Sequence, residues 1–205
     1  QGRILEVLEK SPFETRDAVC NNFPACGGCM YQTMSYENQL VMKETQIREL
    51  LEEALVRGGQ VDKNGQADFD WEGIHGSPIE FGYRNKMEFS FGDAVKDGPL
   101  TLGLHKKGSF HDIVDAEGCQ IVHPDYSAVL ACVREYAKEN SIPYYHKRDH
   151  QGVLRHLLVR RAEVSGDMLV ALVTSTQQEI DYSELVSRLL ALPLEGQITG
   201  ILQIC

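Results

Sequence analysis

Three cysteines, Cys20, Cys26 and Cys29, fall within ten residues, "CNNFPACGGC", and a fourth, Cys119, stands alone after a gap of 89 residues in "DAEGCQIVHP". Thiolates spaced this way do one of a few kinds of chemistry. A tight group of three plus one distant ligand is a common way to surround an iron–sulfur cluster. Zinc also accepts four cysteines, although structural zinc sites usually pair short spacings, and plain core thiols are the third reading. Gly27 and Gly28 let the backbone wrap closely around a bulky inorganic core. His123, four residues after Cys119, is read as a surface histidine satisfied elsewhere, and Cys132 as a small core residue. The N-terminal "QGRILEVLEK" has no apolar run of the kind a secretory signal needs, and no later run is long enough to span a membrane. A cytoplasmic chain follows, where disulfides do not persist and clustered thiols bind metal or do redox work.

A second set of residues could meet a polyanion. The 205 residues carry 20 Lys and Arg against 30 Asp and Glu, a net charge of −10, which argues against a surface basic all over. The cations are nevertheless clustered. Lys147, Arg148, Arg155, Arg160 and Arg161 face only Asp149 between Pro143 and Arg161, "FGYRNK" joins Phe81 and Tyr83 to Arg84, Asn85 and Lys86, and Lys106 and Lys107 form a third group. Aromatic rings beside guanidinium and ammonium groups suit looped or single-stranded RNA, through stacking and phosphate contacts. On a strand, alternation would put Arg155 and Arg161 on one face and His156 and Arg160 on the other. A merely solvated face is the competing reading of each cluster.

The elements that must position these residues read as follows. Residues 1–9 have the pattern of a strand, closed by Ser11-Pro12, and the cysteine-rich loop runs to about Tyr31. A helix starts at Ser35 as N-cap and stops at Gly58, with Tyr36, Leu40, Ile47, Leu51, Ala54 and Leu55 near one stripe. "NKMEFSFG" alternates Met87, Phe89 and Phe91 with polar residues, and "LTLGLHKK" and "FHDIVD" continue an antiparallel meander. "PDYSAVLACVREYAKENS" is a second helix with Tyr126, Val129, Leu130, Val133 and Tyr136 or Ala137 inward. "GVLRHLLVRRAEV" and "DMLVALVTS" form a hairpin around Ser165-Gly166, and a helix over 180–192 precedes a last strand. The fold class is α+β, with a mainly antiparallel sheet and about three helices.

The pattern C-x5-CGGC-x2-Q-x3-Y-x2-Q-x3-K, here Cys20, Cys26, Gly27, Gly28, Cys29, Gln32, Tyr36, Gln39 and Lys43, resembles the iron–sulfur segment of the RNA uridine-5 methyltransferases, including those that make 5-methyluridine in 23S ribosomal RNA. Further similar blocks follow in the family's order: "GYRNKMEFSFG", "LGLHKKGSFHDIVDAEGC" and "LRHLLVRRAEVSGDMLVALVTS".

The resemblance implies a 4Fe–4S cluster on Cys20, Cys26, Cys29 and Cys119. It implies contacts to RNA, ribosomal by expectation, from Phe81, Tyr83, Arg84, Asn85, Lys86, Lys106, Lys107, Arg155 and Arg161. It further implies that residues 1–13 are the last strand of a TRAM-like β-barrel, 14–58 the cluster loop and helix, and 59–205 an α+β central RNA-binding domain. A Rossmann-like domain that binds S-adenosylmethionine would follow. In such enzymes a cysteine adds to C6 of uracil, C5 takes the methyl group and a base removes the C5 proton. The family's nucleophile, base and cofactor loop have no counterpart here, so no catalytic residue is assigned, Cys205 included, and the chain alone is expected to be inactive. A monomer without membrane attachment is the expected state. An iron–sulfur electron-transfer module and a zinc-bearing RNA-binding module are the alternative readings.

Overall fold

Alternation of apolar and polar residues along 86–93 and 154–161 is the force that builds the main unit, because a strand with one apolar face must bury it. The computed structural model describes residues 5–205. Among them the chain forms two compact units, residues 5–18 with Tyr31–Glu80, and Val19–Met30 with Phe81–Cys205. The cysteine loop thus belongs with the sheet, whereas the sequence reading grouped it with the first helix. No helix among the described residues is long and apolar enough to cross a membrane.

The first unit holds α1, Tyr36–Arg57, capped as expected: the Ser35 side chain accepts from the Asn38 amide and Gly58 closes the helix. Tyr36 and Leu40 lie against Gly76, and the Tyr36 hydroxyl accepts the Ser77 amide at 2.6 Å. Trp71 donates its indole N–H to Glu44 at 2.6 Å. The expected stripe is not otherwise covered: α1 has no buried residue, and Ile47 and Leu51 are 50% and 41% exposed. The strand expected over 1–9 lies partly outside the described residues; residues 5–10 have no regular structure, and Leu5 and Leu8 are exposed.

The second unit is one six-stranded sheet of order β3-β2-β1-β4-β5-β6, built from β1 (Lys86–Asp93), β2 (Leu100–His105), β3 (Ile113–Asp115), β4 (Leu154–Arg161), β5 (Asp167–Thr174) and β6 (Gln197–Ile204). All neighbours run antiparallel except β5 and β6, which are parallel and joined through α3 (Ser183–Leu190). A parallel neighbour requires such a crossover. The sheet packs against α2 (Asp125–Glu139), whose Tyr126, Val129, Leu130, Val133, Tyr136 and Ala137 are all buried. They meet Met87, Phe89, Leu102, Leu157 and Val159 in one core. The α+β class and the helix stripe read from sequence are what the structure shows.

The Asp125 carboxylate joins three parts of this unit at the start of α2. It accepts the amides of Glu195 and Gly196 at 3.0 and 2.9 Å, and Arg161 on β4 lies 3.5 Å away with its side chain 9% exposed. Burial by itself would raise the Asp125 carboxyl; the two amides, with His123 and Arg161, outweigh it and hold the group below the usual carboxylate range.

Candidate functional site

The cysteine loop is zipped onto the sheet by its own backbone. The Gly27 amide donates to the His105 carbonyl at 2.9 Å and the Lys107 amide to the Ala25 carbonyl at 2.8 Å, which sets Cys26 opposite Lys106. A methyl group on Gly27 would stand 2.9 Å from that His105 carbonyl oxygen, and one on Gly28 would stand 2.9 Å from Leu104 and 3.5 Å from the Cys26 sulfur. At Gly27, against a backbone oxygen, only glycine lets the loop lie this close, whereas at Gly28 the Leu104 side chain can give way. Asn22 ties the other side, donating to the Asp115 carbonyl at the end of β3 at 2.7 Å.

Cys119 arrives from the turn after β3. That turn is ordered by Arg134 on α2, which reaches Asp115 at 2.5 Å, Glu117 at 2.6 Å and Glu135 at 2.9 Å. Burial opposes the Arg134 charge, but Glu117 and Glu135, then Asp115, more than compensate and raise its pKa. Two hairpins of the β1–β3 meander therefore bring a cysteine separated by 89 residues back to the loop.

The four cysteines share one neighbourhood. The Cys119 thiol is pushed up by burial and then by the charges of Cys29, Cys20 and Cys26, against an opposing bond from the Ile121 amide. Cys26 is pushed up by burial and by Cys29 and Cys20, while the Gly28 amide, 3.4 Å from its sulfur, works against this. Mutual repulsion of this kind is what a bound polycationic centre relieves. No group of three or more His, Cys, Asp or Glu side chains among the described residues is arranged as a metal site. In donor chemistry alone, four thiols are a set that an iron–sulfur cluster accepts. His123 does not join them; it meets Asp125 at 3.2 Å and Glu195 at 3.3 Å. Cys132 is in α2 and Cys205 follows β6.

The basic residues separate into exposed and buried groups. Tyr83, Arg84, Asn85, Lys86, Lys106, Lys107 and Arg155 are exposed, and Phe81 is half-buried. Arg84 folds its Nε onto the Lys86 carbonyl at 3.0 Å, and Lys106 stands 3.9 Å from Asp112. Arg161 is different: its guanidinium is committed to Asp125 inside the unit, so its charge is not presented to a ligand. The expected shared face of Arg155 and Arg161 also fails, because β4 bulges between Leu154 and His156. A bulge inserts one residue and breaks the alternation, which turns Arg155 outward, its guanidinium 4.7 Å over the Tyr145 ring. Arg134 and Asn22, which order the two cysteine segments, carried no signal in a sequence read for ligands and cations.

No family model matches the chain. Over 202 residues it is 41% identical to an uncharacterized RNA methyltransferase of Caldanaerobacter subterraneus, covering 98% of this chain and 42% of that protein. It is 40% identical over 202 residues to another from Clostridium tetani, with the same two coverages. Among solved structures, the Pyrococcus abyssi tRNA (uracil-54, C5)-methyltransferase in complex with S-adenosyl-L-homocysteine is similar over 89% of this chain and 37% of that one. The TM-score is 0.60 at 20% identity, a likeness of fold. The chain thus spans about two fifths of the length of the curated relatives it matches, and along nearly all of its own length it is similar to proteins named RNA methyltransferases.

Proposed function

We propose that this chain is the cluster-bearing, RNA-contacting portion of a cytoplasmic, S-adenosylmethionine-dependent RNA uridine C5-methyltransferase acting on 23S ribosomal RNA. The observation that carries the reading is the 41% identity to an RNA methyltransferase along 98% of the chain. The solved tRNA uracil-C5 methyltransferase of like fold supports the reaction class.

In this reading Cys20, Cys26, Cys29 and Cys119 hold a 4Fe–4S cluster. Bound there, the cluster supplies four metal–thiolate bonds that clamp the 19–30 loop to the turn after β3. Methyl transfer from S-adenosylmethionine needs no electron, so the clamp is structural. Tyr83, Arg84, Asn85 and Lys86 present stacking and phosphate contacts at the entry to β1. The methyl donor, the nucleophile and the base reside outside the chain.

The test is transfer of labelled methyl from S-adenosylmethionine to RNA by the longer protein that contains this chain. Label at C5 of uridine in 23S RNA is the expected result, and the chain alone transfers none. Label on another base, or on no RNA, contradicts the reading. Within that protein, changing Arg84 and Lys86 together to Ala is expected to weaken RNA binding. The log–log slope of affinity against salt should fall by about 1.4, as the loss of two phosphate contacts on a single strand requires. An unchanged slope in a folded variant makes this segment an ordinary strand entry.

A further inference from the structure

On the face of the sheet turned away from α2, a cavity of about 500 Å³ opens between the 105–112 turn and the 144–149 hairpin. Its floor is sheet. Ser90, His105 and His156 occupy positions alternating with the buried Phe89 and Leu157 and the half-buried Leu104, and Ser90 Oγ meets His156 Nδ1 at 3.3 Å. Its wall is aromatic: Tyr144 is anchored by a 2.9 Å hydrogen bond to Asp93 and stacks on His146 at 4.2 Å, and Tyr145 lies beneath the Arg155 guanidinium. Phe110, 88% exposed, sits at the rim.

The hairpin that forms the wall is held in place. Gln177 accepts the Gly152 amide at 2.9 Å and donates to the His150 carbonyl at 2.5 Å, and Ser175 donates to the Gly152 carbonyl at 2.7 Å. Gly152 has φ +110°, and a methyl there would collide with the Tyr144 carbonyl oxygen at 2.0 Å. At the floor, His105 Nδ1 is buried with no hydrogen-bond partner. A buried imidazole nitrogen left without a partner is unfavourable, which marks the floor as a polar surface that the protein does not itself satisfy. Burial first, with Lys147 adding to it, lowers the pKa of both His105 and His156, Glu88 opposing this at His156; a neutral imidazole offers one donor and one acceptor.

Four cations and four carboxylates line the cavity, so its charge balances and it does not attract phosphate strongly. A flat, neutral heteroaromatic group with donors and acceptors on its edge fits this lining; 500 Å³ is ample for one. We propose that the cavity is an RNA subsite that takes one unpaired nucleobase, stacked on the open face of the Arg155 guanidinium that Tyr145 supports from below, with its edge toward the His105 and His156 imidazoles. The inference rests on the RNA reading above, and names a base held apart from the uridine that is methylated.

The test compares a short single-stranded RNA with an abasic oligonucleotide of the same length and charge, each titrated by fluorescence anisotropy against the anaerobically purified chain. The chain is expected to bind the base-bearing RNA more tightly. Tyr145→Ala should weaken that binding about tenfold and His105→Ala about fivefold. Neither should change the abasic affinity, and Tyr145→Phe should retain the wild-type value because the ring remains. If base-bearing and abasic strands bind alike, or if Tyr145→Ala and His105→Ala leave base-bearing RNA unaffected while RNA still binds, the pocket proposal fails and the RNA reading survives. If no RNA binds at all, both fail.

Discussion

Replacing Asp125 by Ala is expected to lower the stability of the sheet-containing unit by about 3–5 kcal/mol, the usual cost of leaving a buried ion pair half-made. The carboxylate is 6% exposed and Arg161 is 9% exposed, so the arginine would be left in a dry site with only the exposed Glu163, 3.8 Å away, as a counter-charge. The amides of Glu195 and Gly196 would lose their acceptor in the same step, loosening the turn into β6. In a chain of this size each kcal/mol moves the thermal midpoint by about 2–4 °C. A drop of at least about 6 °C is therefore expected, with Asp125→Asn intermediate because one amide acceptor remains. The pH dependence has a definite sign. Since the folded carboxyl titrates below its unfolded value, its contribution is fully present above about pH 5 and fades as pH falls through about 4 toward the lower folded value. Asp125→Asn should lack that part of the acid sensitivity. A variant as stable as the parent at pH 7 removes Asp125 from the account.

Cys119→Ser is expected to abolish cluster binding, reducing iron from about four per chain to near zero under anaerobic purification. The loop should respond as well. Residues 19–30 are attached to the sheet through the Gly27, Lys107 and Asn22 hydrogen bonds and the packing of Cys29 on the core, and without the fourth thiolate the clamp no longer adds to these contacts. Proteolysis within the loop should accelerate several-fold, because local opening is no longer opposed by metal–ligand bonds. Cys132→Ser is the control, since that thiol lies in α2 and is read as packing. Equal iron in the two variants would remove Cys119 from the ligand set.

Local patterns were legible and non-local ones were not. The alternation of Met87, Phe89 and Phe91 and the α2 stripe ending in Tyr136 and Ala137 follow directly from the periods of strand and helix, and the structure has both. The Ser35 cap and the Gly58 stop are likewise local chemistry. The parallel pairing of β6 with β5 was not legible, because a strand pattern says nothing about its neighbour. Arg161 misled for a related reason: a cation on a strand reads the same whether it meets water or a buried Asp125. The bulge at Leu154 and His156 is a single extra residue, invisible in composition, yet it separates Arg155 from Arg161 and gives Arg155 to the cavity. The cysteines lie between these cases. Their types and spacing raised the expectation of a shared centre, while the nearness of Cys119 to the other three depends on two hairpins and on the Arg134 contacts that order its turn.

The most direct measurement is the iron, acid-labile sulfide and zinc content of the anaerobically purified chain, taken with its visible spectrum. The account predicts about four iron and four sulfide per chain, a brown protein with broad visible absorbance, and no stoichiometric zinc. One zinc per chain without sulfide, or a colourless protein with none of the three, would contradict it.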